Sequence, residues 1–330
     1  MQQLHTNIAP LSSSSSLTIQ NKVPLADKNW FRTGGPARFY CQPVTPQELQ
    51  EAVAWAQLNK QPMFILGQGA NILISDEGFD GLVIHPKLTA ISHATINEAT
   101  ATVTAGAGTD FGDLITYCLN NNMIGLEEFS GIPGTVGGSV FINIHYFEFL
   151  LGQFLTSAMI VDTTTGEILS VDNAWFNFGY NSTKLHEKRY ILAQATFTLK
   201  KCSELEAAFA KGRSVEIIRH RKQRYPNSHT CGSFFRNFHP DEVTLMSNGK
   251  KMIFVAYYLD KIGVKGMLTQ GGAIVSYQHA NMLVNQGSAT SNDIVELAKK
   301  MQSLVFDTFG IMPQAECQCI GFKEHPLLKV

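Results

Sequence analysis

Residues 66–84 read Leu66-Gly67-Gln68-Gly69-Ala70-Asn71-Ile72-Leu73-Ile74-Ser75-Asp76-Glu77-Gly78-Phe79-Asp80-Gly81-Leu82-Val83-Ile84. The apolar run Phe64 to Leu66 predicts a buried strand that leads straight into Gly67-Gln68-Gly69-Ala70-Asn71. Glycine at 67 and 69 permits positive φ and leaves no side chain in the way. A turn of this kind can aim successive backbone N–H groups into one concavity, which suits a pyrophosphate. The spacing is not G-x-G-x-x-G opening a helix, because Ile72-Leu73-Ile74 is another apolar run. The expected setting is therefore strand–loop–strand and not a Rossmann crossover. A glycine-rich hairpin turn accounts for the same residues.

A second element, Ser130 to Asn143, reads S-G-I-P-G-T-V-G-G-S-V-F-I-N. Four glycines and a proline are interleaved with apolar residues, whereas a solvated loop is polar. Such a loop buries its backbone, and buried N–H groups need partners. A bound cofactor can supply them; so can a tight structural turn between buried strands.

The chain of 330 residues is long enough for two or three domains, and its 44% hydrophobic and 16% charged content fits a globular protein. A net charge of −1 argues against a dedicated nucleic-acid binder. The six cysteines, at 41, 118, 202, 231, 317 and 319, have no zinc-site spacing and are expected as free thiols of a reducing cytosol. The segment Met1 to Leu17, with serines from Ser12 to Ser16, lacks the regions of a secretory signal and is expected as a disordered arm over 1–20. The most apolar later run, Phe147 to Val161, is interrupted by Gln153, Thr156 and Ser157. It falls short of the ~20 apolar residues of a membrane helix, so no membrane association is expected.

Local patterns organise the rest. Thr45-Pro46-Gln47-Glu48 is a capping box with proline at the first helical position. Leu49, Ala52, Val53 and Ala56 then recur at helical spacing, which predicts a helix over ~46–59. Strands are expected at Met63 to Leu66, Leu82 to Ile84, Ala101 to Ala107 and Tyr190 to Leu199, and a short helix at Asp110 to Asn121. A hairpin over Met159 to Val171 is expected to turn at Thr165-Gly166. Helical patterns follow at Leu205 to Tyr225, Ile253 to Ile262 and Asp293 to Phe309, the last two stopped by Gly263 and Gly310.

With both glycine elements, W-F-R-T-G-G-P-A at Trp30 to Ala37, F-G-Y at Phe178 to Tyr180, C-G-S-F-F-R-N at Cys231 to Asn237, G-G-A-I-V-S-Y-Q-H-A-N-M-L-V-N at Gly271 to Asn285, and Glu316 before Ile320-Gly321, the chain resembles the UDP-N-acetylenolpyruvoylglucosamine reductase family. The likeness runs from about Asn29 to Gly321, in order and spacing, and is to the shorter type without the extra tyrosine loop. It implies an α/β (α+β) fold: a two-lobed FAD-binding domain of the PCMH / vanillyl-alcohol-oxidase-like type over 21–202, with lobes 21–88 and 89–202. A separate α/β substrate-binding domain over 203–312 and a segment 313–330 returning to the cleft complete it.

The resemblance implies a cytoplasmic, monomeric oxidoreductase of peptidoglycan synthesis, with noncovalent FAD, NADPH as co-substrate and a nucleotide-sugar substrate. It places the flavin on Gly67, Gln68, Gly69, Ala70, Asn71, Ile132, Pro133, Gly134, Gly137, Gly138 and Asn143. It makes Ser233 the proton donor to the substrate and Glu316 the residue that polarises it. Tyr180, Arg224 and Asn237 become substrate contacts. By themselves, Ser233 also admits the reading of a serine bonding local backbone, and Glu316 reads first as a capping or salt-bridged carboxylate. The basic run Arg213, Arg219, His220, Arg221, Lys222 and Arg224 reads as a solvated helix face or as an anion site. Ser276, His279 and Asn281 read as structural polar residues in a buried run.

The chain departs from the family pattern in several places. Asn181 follows Tyr180 where the family has an arginine that stabilises enolate charge, and Lys184 is the candidate replacement. Ile144 to Phe149, on the expected flavin side, is bulkier and more aromatic than the family's glycine-bearing stretch. Phe238 and Ala315 stand where prolines are usual. Asn181 motivates an alternative, an FAD-binding paralogue with weak, altered or absent reductase activity. A flavin-free nucleotide-sugar binding protein is the third reading.

Overall fold

The computed structural model describes residues 16–328. The serine-rich arm lies mainly in 1–15, outside the described residues. From Ser16 onward the chain is placed: Ser16 Oγ hydrogen-bonds Glu48, and Leu17 is buried in a core cluster with Leu49 and Val53.

Contacts divide the described chain into two compact units, and neither is continuous in sequence. The first comprises 16–21, 39–68 and 81–219; the second comprises 22–38, 69–80 and 220–328.

In the first unit, α1 (Pro46–Leu58) starts at Thr45, whose hydroxyl accepts the Glu48 N–H at 3.1 Å. Glu48 in turn accepts the N–H of Val44 at 2.7 Å, one residue further out than a simple capping box. The buried face of α1, Leu49, Ala52, Val53 and Ala56, packs with Leu82 and Ile84. A six-stranded antiparallel sheet forms the larger core. Its order is Ile168–Asp172, Leu155–Asp162, Tyr190–Lys201, Thr100–Gly106, Ile91–Thr95, with Met123–Ile124 beside the end of Tyr190–Lys201. The expected hairpin is present, with Ile160 opposite Leu169 and Val161 opposite Ile168. Helix α2 (Phe111–Asn120) covers this sheet with Phe111, Leu114, Ile115, Cys118 and Leu119.

The strands flanking the first glycine loop do not pair with each other. Met63–Ile65 lies parallel to Phe79–Ile84, with Phe64 opposite Val83. Ile72–Ile74 lies parallel to Gln318–Ile320, with Leu73 opposite Cys319. The hairpin reading of Gly67 to Asn71 is thereby excluded, and the strand–loop–strand setting stands.

In the second unit a three-stranded sheet, Thr269–Gln270, Ala273–Val275 and Leu283–Asn285, shares one core with α5 (Val255–Lys261) and α6 (Ser291–Phe309). Helix α6 opens on a capping box between Thr290 and Asp293 and stops at Gly310, φ 68°. Between the two sheets in sequence runs α4 (Glu204–Arg224).

Candidate active site

The first glycine loop is tightly constrained on its protein side. A Cβ on Gly67 would lie 2.9 Å from Thr135 Oγ1, and one on Gly69 (φ +67°) would lie 2.6 Å from Asn29 Cα. The Gly69 carbonyl accepts the Trp30 N–H at 3.0 Å, tying the W-F-R-T-G-G stretch to the loop. The N–H groups of Gly67, Gln68, Gly69 and Ala70 meet no acceptor among the described residues. Three buried oxygens in the same region of the second unit, Asn71 Oδ1, Asn29 Oδ1 and Thr33 Oγ1, also lack a partner. Unsatisfied buried polar groups are costly and rare in a finished interior, so their clustering marks a place where a ligand completes the hydrogen bonding.

The second glycine element differs from the expected loop. Ile132, Pro133 and Gly134 lead to Thr135, which caps a short helix, α3 (Val136–Phe141), by accepting the Gly138 N–H at 3.2 Å. The Val136 and Gly137 N–H groups bond the carbonyls of Thr109 and Ala107, each at 2.8 Å. Gly134 accepts the Phe111 N–H at 3.0 Å. Part of the buried backbone is thus satisfied by the protein itself. Thr109 Oγ1 nevertheless remains buried and unpartnered. Gln68 Nε2 hydrogen-bonds Asp110, whose other oxygen caps α2 through the Gly112 N–H at 2.8 Å.

Asn143 (φ 47°) closes this element. Its Oδ1 accepts the Gly152 N–H and its Nδ2 donates to the Gly179 carbonyl, both at 2.9 Å. The side chain therefore clamps two loops. Gly179 and Ser182 exchange backbone hydrogen bonds at 2.9 and 3.4 Å, which makes Tyr180 and Asn181 the centre of a tight turn. Asn181 has φ 51°, a left-handed conformation in which asparagine is enriched. Its Nδ2 is buried without a partner. The His145 ring packs on Tyr180 with centroids 4.8 Å apart. Lys184, the candidate replacement cation, has its ammonium 5.0 Å from the Trp175 ring centre and 5.8 Å from that of Tyr190.

Ser233 and Glu316 come together in the second unit. The short extended piece around Ser233 runs between two neighbours. On one side Ser233 bridges Met282, and the Phe234 N–H donates to the Asn281 carbonyl at 2.8 Å. The Asn281 side chain accepts from the Phe235 N–H and donates to the Phe235 carbonyl, at 3.0 and 2.7 Å, the structural role expected of it. On the other side the N–H groups of Glu316 and Cys317 both donate to the Phe234 carbonyl, at 2.8 and 3.2 Å. Two successive donors on one acceptor are the signature of a bulge, a device that re-aims side chains beside active sites. The hydroxyl and carboxylate expected to act on the substrate are therefore carried on adjacent strands. Arg236 is held by Glu242 through two bonds of 2.8 and 2.6 Å, which draws the Glu242 carboxyl down to about 2. The Asn237 carbonyl accepts from the same guanidinium at 2.9 Å.

The basic run separates into two kinds of residue. Arg213 forms a two-bond pair with Glu128 at 3.0 Å, and Arg219 pairs with Glu216 at 2.7 Å. Arg224 is exposed near the end of α4, with its guanidinium 5.8 Å from the Tyr225 ring centre. Tyr225 packs edge-on against His279 at 5.4 Å, and Gln278 Nε2 donates to the Tyr225 carbonyl at 3.2 Å. Burial, reinforced by Arg224, holds His279 down to about 4, so its imidazole is neutral at pH 7. Sequence reasoning named Arg224 and read His279 as structural, without its contact to Tyr225. The only signal was the polar pair Gln278-His279 inside an otherwise apolar run.

Comparison with known proteins agrees with this geometry. A family model described as the FAD binding domain matches residues 37–172. One described as the UDP-N-acetylenolpyruvoylglucosamine reductase C-terminal domain matches 223–320. The UDP-N-acetylenolpyruvoylglucosamine reductase of Synechococcus sp. (strain JA-3-3Ab) is 31% identical over 321 residues, covering 94% of each chain. The chain belongs to the UDP-N-acetylenolpyruvoylglucosamine reductase family. The Listeria monocytogenes reductase is 31% identical over 307 residues, 92% of this chain and 96% of that one. The crystal structure of the reductase from Thermus caldophilus matches at a TM-score of 0.71 and 25% identity, over 92% of this chain and 99% of that chain. As a member of the family the chain is an FAD-dependent oxidoreductase with a separate α/β C-terminal domain. The unpaired N–H groups of the first glycine loop, with the buried Asn71 Oδ1, suit a flavin dinucleotide, which offers phosphate acceptors and ribityl donors. The flavin-free reading is set aside. No helix among the described residues is long and apolar enough to cross a membrane.

Proposed function

We propose that the chain reduces the enolpyruvyl group of UDP-N-acetylglucosamine enolpyruvate with NADPH, giving UDP-N-acetylmuramate for peptidoglycan synthesis in the cytoplasm, as a monomer. The observation that carries this reading is that Glu316 donates its backbone N–H to the carbonyl of Phe234, the residue after Ser233, so the two lie on adjoining extended segments. Gly67 to Asn71 and Ile132, Pro133, Gly134, Gly137 and Gly138 would hold FAD, which would supply the transfer of hydride from NADPH to the substrate. Neither loop contains a histidine or a cysteine, so attachment is noncovalent.

The chain's own work is to bind, orient and protonate. Hydride arrives at the substrate carbon distal to the ether oxygen, and negative charge develops at the carbon bearing the carboxylate. The Ser233 hydroxyl delivers a proton to that carbon as general acid. Glu316, on the neighbouring strand, polarises the substrate and assists that delivery. Arg224 meets the diphosphate as a charged fork, and Tyr180 and Asn237 contact the nucleotide sugar. The test is NADPH oxidation that depends on the enolpyruvyl nucleotide, with a product two mass units heavier. Oxidation by dioxygen alone, without that product, would reject the reading.

Asn181 favours a second reading, a paralogue with weak or absent reductase activity. Two of the cations that follow it in sequence are engaged elsewhere, Lys184 over Trp175 and Arg189 with Asp162. A flavin that NADPH reduces but the enolpyruvyl nucleotide cannot reoxidise would select this reading.

A further inference from the structure

The turn that carries Tyr180 and Asn181 has a second, unassigned side chain against it. His145 lies in a two-residue strand, His145–Tyr146, paired antiparallel with Phe149–Leu150, so that His145 faces Leu150 across the ladder. This is the stretch read from sequence as bulkier and more aromatic than the family's. Asn143 joins the base of this hairpin to the Gly179 carbonyl. One hydrogen-bonded frame therefore holds His145, Tyr180 and Asn181. Within it, Asn181 Nδ2 is a buried donor with no acceptor, and the imidazole is packed on the ring of the residue before it.

A buried amide donor without an acceptor costs the fold its full desolvation penalty unless a ligand takes it up. The ligand group that fits is an acceptor, and at a turn already assigned to the substrate it is an anionic one. We propose that the Asn181 amide and the His145 imidazole together form an uncharged carboxylate-binding corner, which receives the carboxylate of the enolpyruvyl group. The proposal rests on the reductase reading and names the residues that replace the family arginine in it.

Burial holds the His145 pKa below its ordinary value, so the ring enters the complex neutral at pH 7. The titratable group against its face is Tyr180. The charged groups near the hairpin are Glu148 and the Arg213–Glu128 pair, with Arg213 in electrostatic reach of Tyr146 and Glu148. A bound carboxylate stabilises the imidazolium, so binding and protonation of His145 reinforce each other.

The test uses flavin-loaded protein and two nucleotides that differ by the carboxylate, UDP-N-acetylglucosamine enolpyruvate and UDP-N-acetylglucosamine. His145→Phe keeps a ring on Tyr180 and removes both nitrogens. Asn181→Gly keeps the left-handed turn and removes the donor. Each change is expected to weaken binding of the enolpyruvyl nucleotide by about 10–100-fold, as for loss of a hydrogen bond to a charged group. Binding of UDP-N-acetylglucosamine should hardly move. Unmodified protein should bind the enolpyruvyl nucleotide more tightly as pH falls toward the depressed His145 pKa, and His145→Phe should abolish that rise. In the unmodified protein, the imidazole resonances of His145 should titrate at higher pH with the enolpyruvyl nucleotide than with UDP-N-acetylglucosamine. Equal losses for both nucleotides, or a His145 titration that does not distinguish them, would overturn the proposal while leaving the reductase reading intact. Failure of the unmodified protein to bind either nucleotide would overturn the reductase reading itself, and this proposal with it.

Discussion

Single residues carry the chemistry, and two of them illustrate the reach of sequence. Ser233 and Glu316 were legible only through resemblance, because neither has a distinctive local pattern. What unites them is a pair of backbone hydrogen bonds to Phe234 that no local rule foretells. Ser233→Ala is expected to slow reoxidation of the reduced flavin by the enolpyruvyl nucleotide by about 10²–10⁴-fold, the usual worth of a general acid. Stopped-flow measurement of each half-reaction checks this; equal slowing of the NADPH step would make the serine structural. Lys184 is the opposite case. Sequence offered it as a replacement cation, but it sits over Trp175 and Tyr190. Lys184→Met should therefore leave reaction with the enolpyruvyl nucleotide unchanged and cost about 0.5–1 kcal/mol of stability, as for an exposed cation–π contact. A large loss of turnover would return the lysine to the reacting centre. Asn181 itself was readable in part, since G-Y-N-S is a turn sequence and asparagine suits a left-handed position. Its φ of 51° lies in the left-handed region, where asparagine is enriched.

Elements with strong end signals were read correctly. Thr45 and Glu48 announce α1, Asp110 and Asn121 bracket α2, and Thr290 and Gly310 bound α6. Helix α3 was hidden, because Gly137 and Gly138 lower helix propensity by about 1 kcal/mol each relative to alanine. Tertiary partners override that deficit: the carbonyls of Ala107 and Thr109 take the first helical N–H groups. Thr135 is the hinge of this arrangement, since its Oγ1 caps α3 and limits the space beside Gly67. Thr135→Ala should cost about 1 kcal/mol, the typical value of a lost N-cap, and should lower flavin retention. Thr135→Ser should restore both. Thermal melting with flavin absorbance on the same samples measures the pair; a serine variant no better than alanine would deny the hydroxyl this role.

At the scale of the molecule, each compact unit contains a carboxylate held in its charged form. Asp162 is drawn to about 2 by Arg189, and Glu242 to about 2 by Arg236. Both values lie below those of the unfolded chain, so in acid the unfolded chain binds more protons than the folded one. The stabilisation is complete above the ordinary carboxylate range, near ~4.5, and is lost as pH falls toward about 2. The midpoint of thermal unfolding should fall through this window, and Asp162→Asn with Glu242→Gln should flatten the fall. Parallel curves for variant and parent would assign the acid loss to other groups. The division into units was the least legible feature, because the second unit is assembled from three separate stretches. Pairing of Ile72–Ile74 with Gln318–Ile320 spans most of the chain, and no local pattern encodes it.

That parallel pairing sets a timetable for synthesis. Ile72–Ile74 leaves the ribosome roughly 250 residues before the strand that covers its edge. At about 5–20 residues per second the interval is on the order of 12–50 s. Throughout it, three side chains that end fully sheltered are presented to the cytosol on a strand with an open side. A nascent chain released before residue 318 never closes that side, so premature termination should yield an aggregating product, and chaperone occupancy should persist until Gln318–Ile320 has emerged.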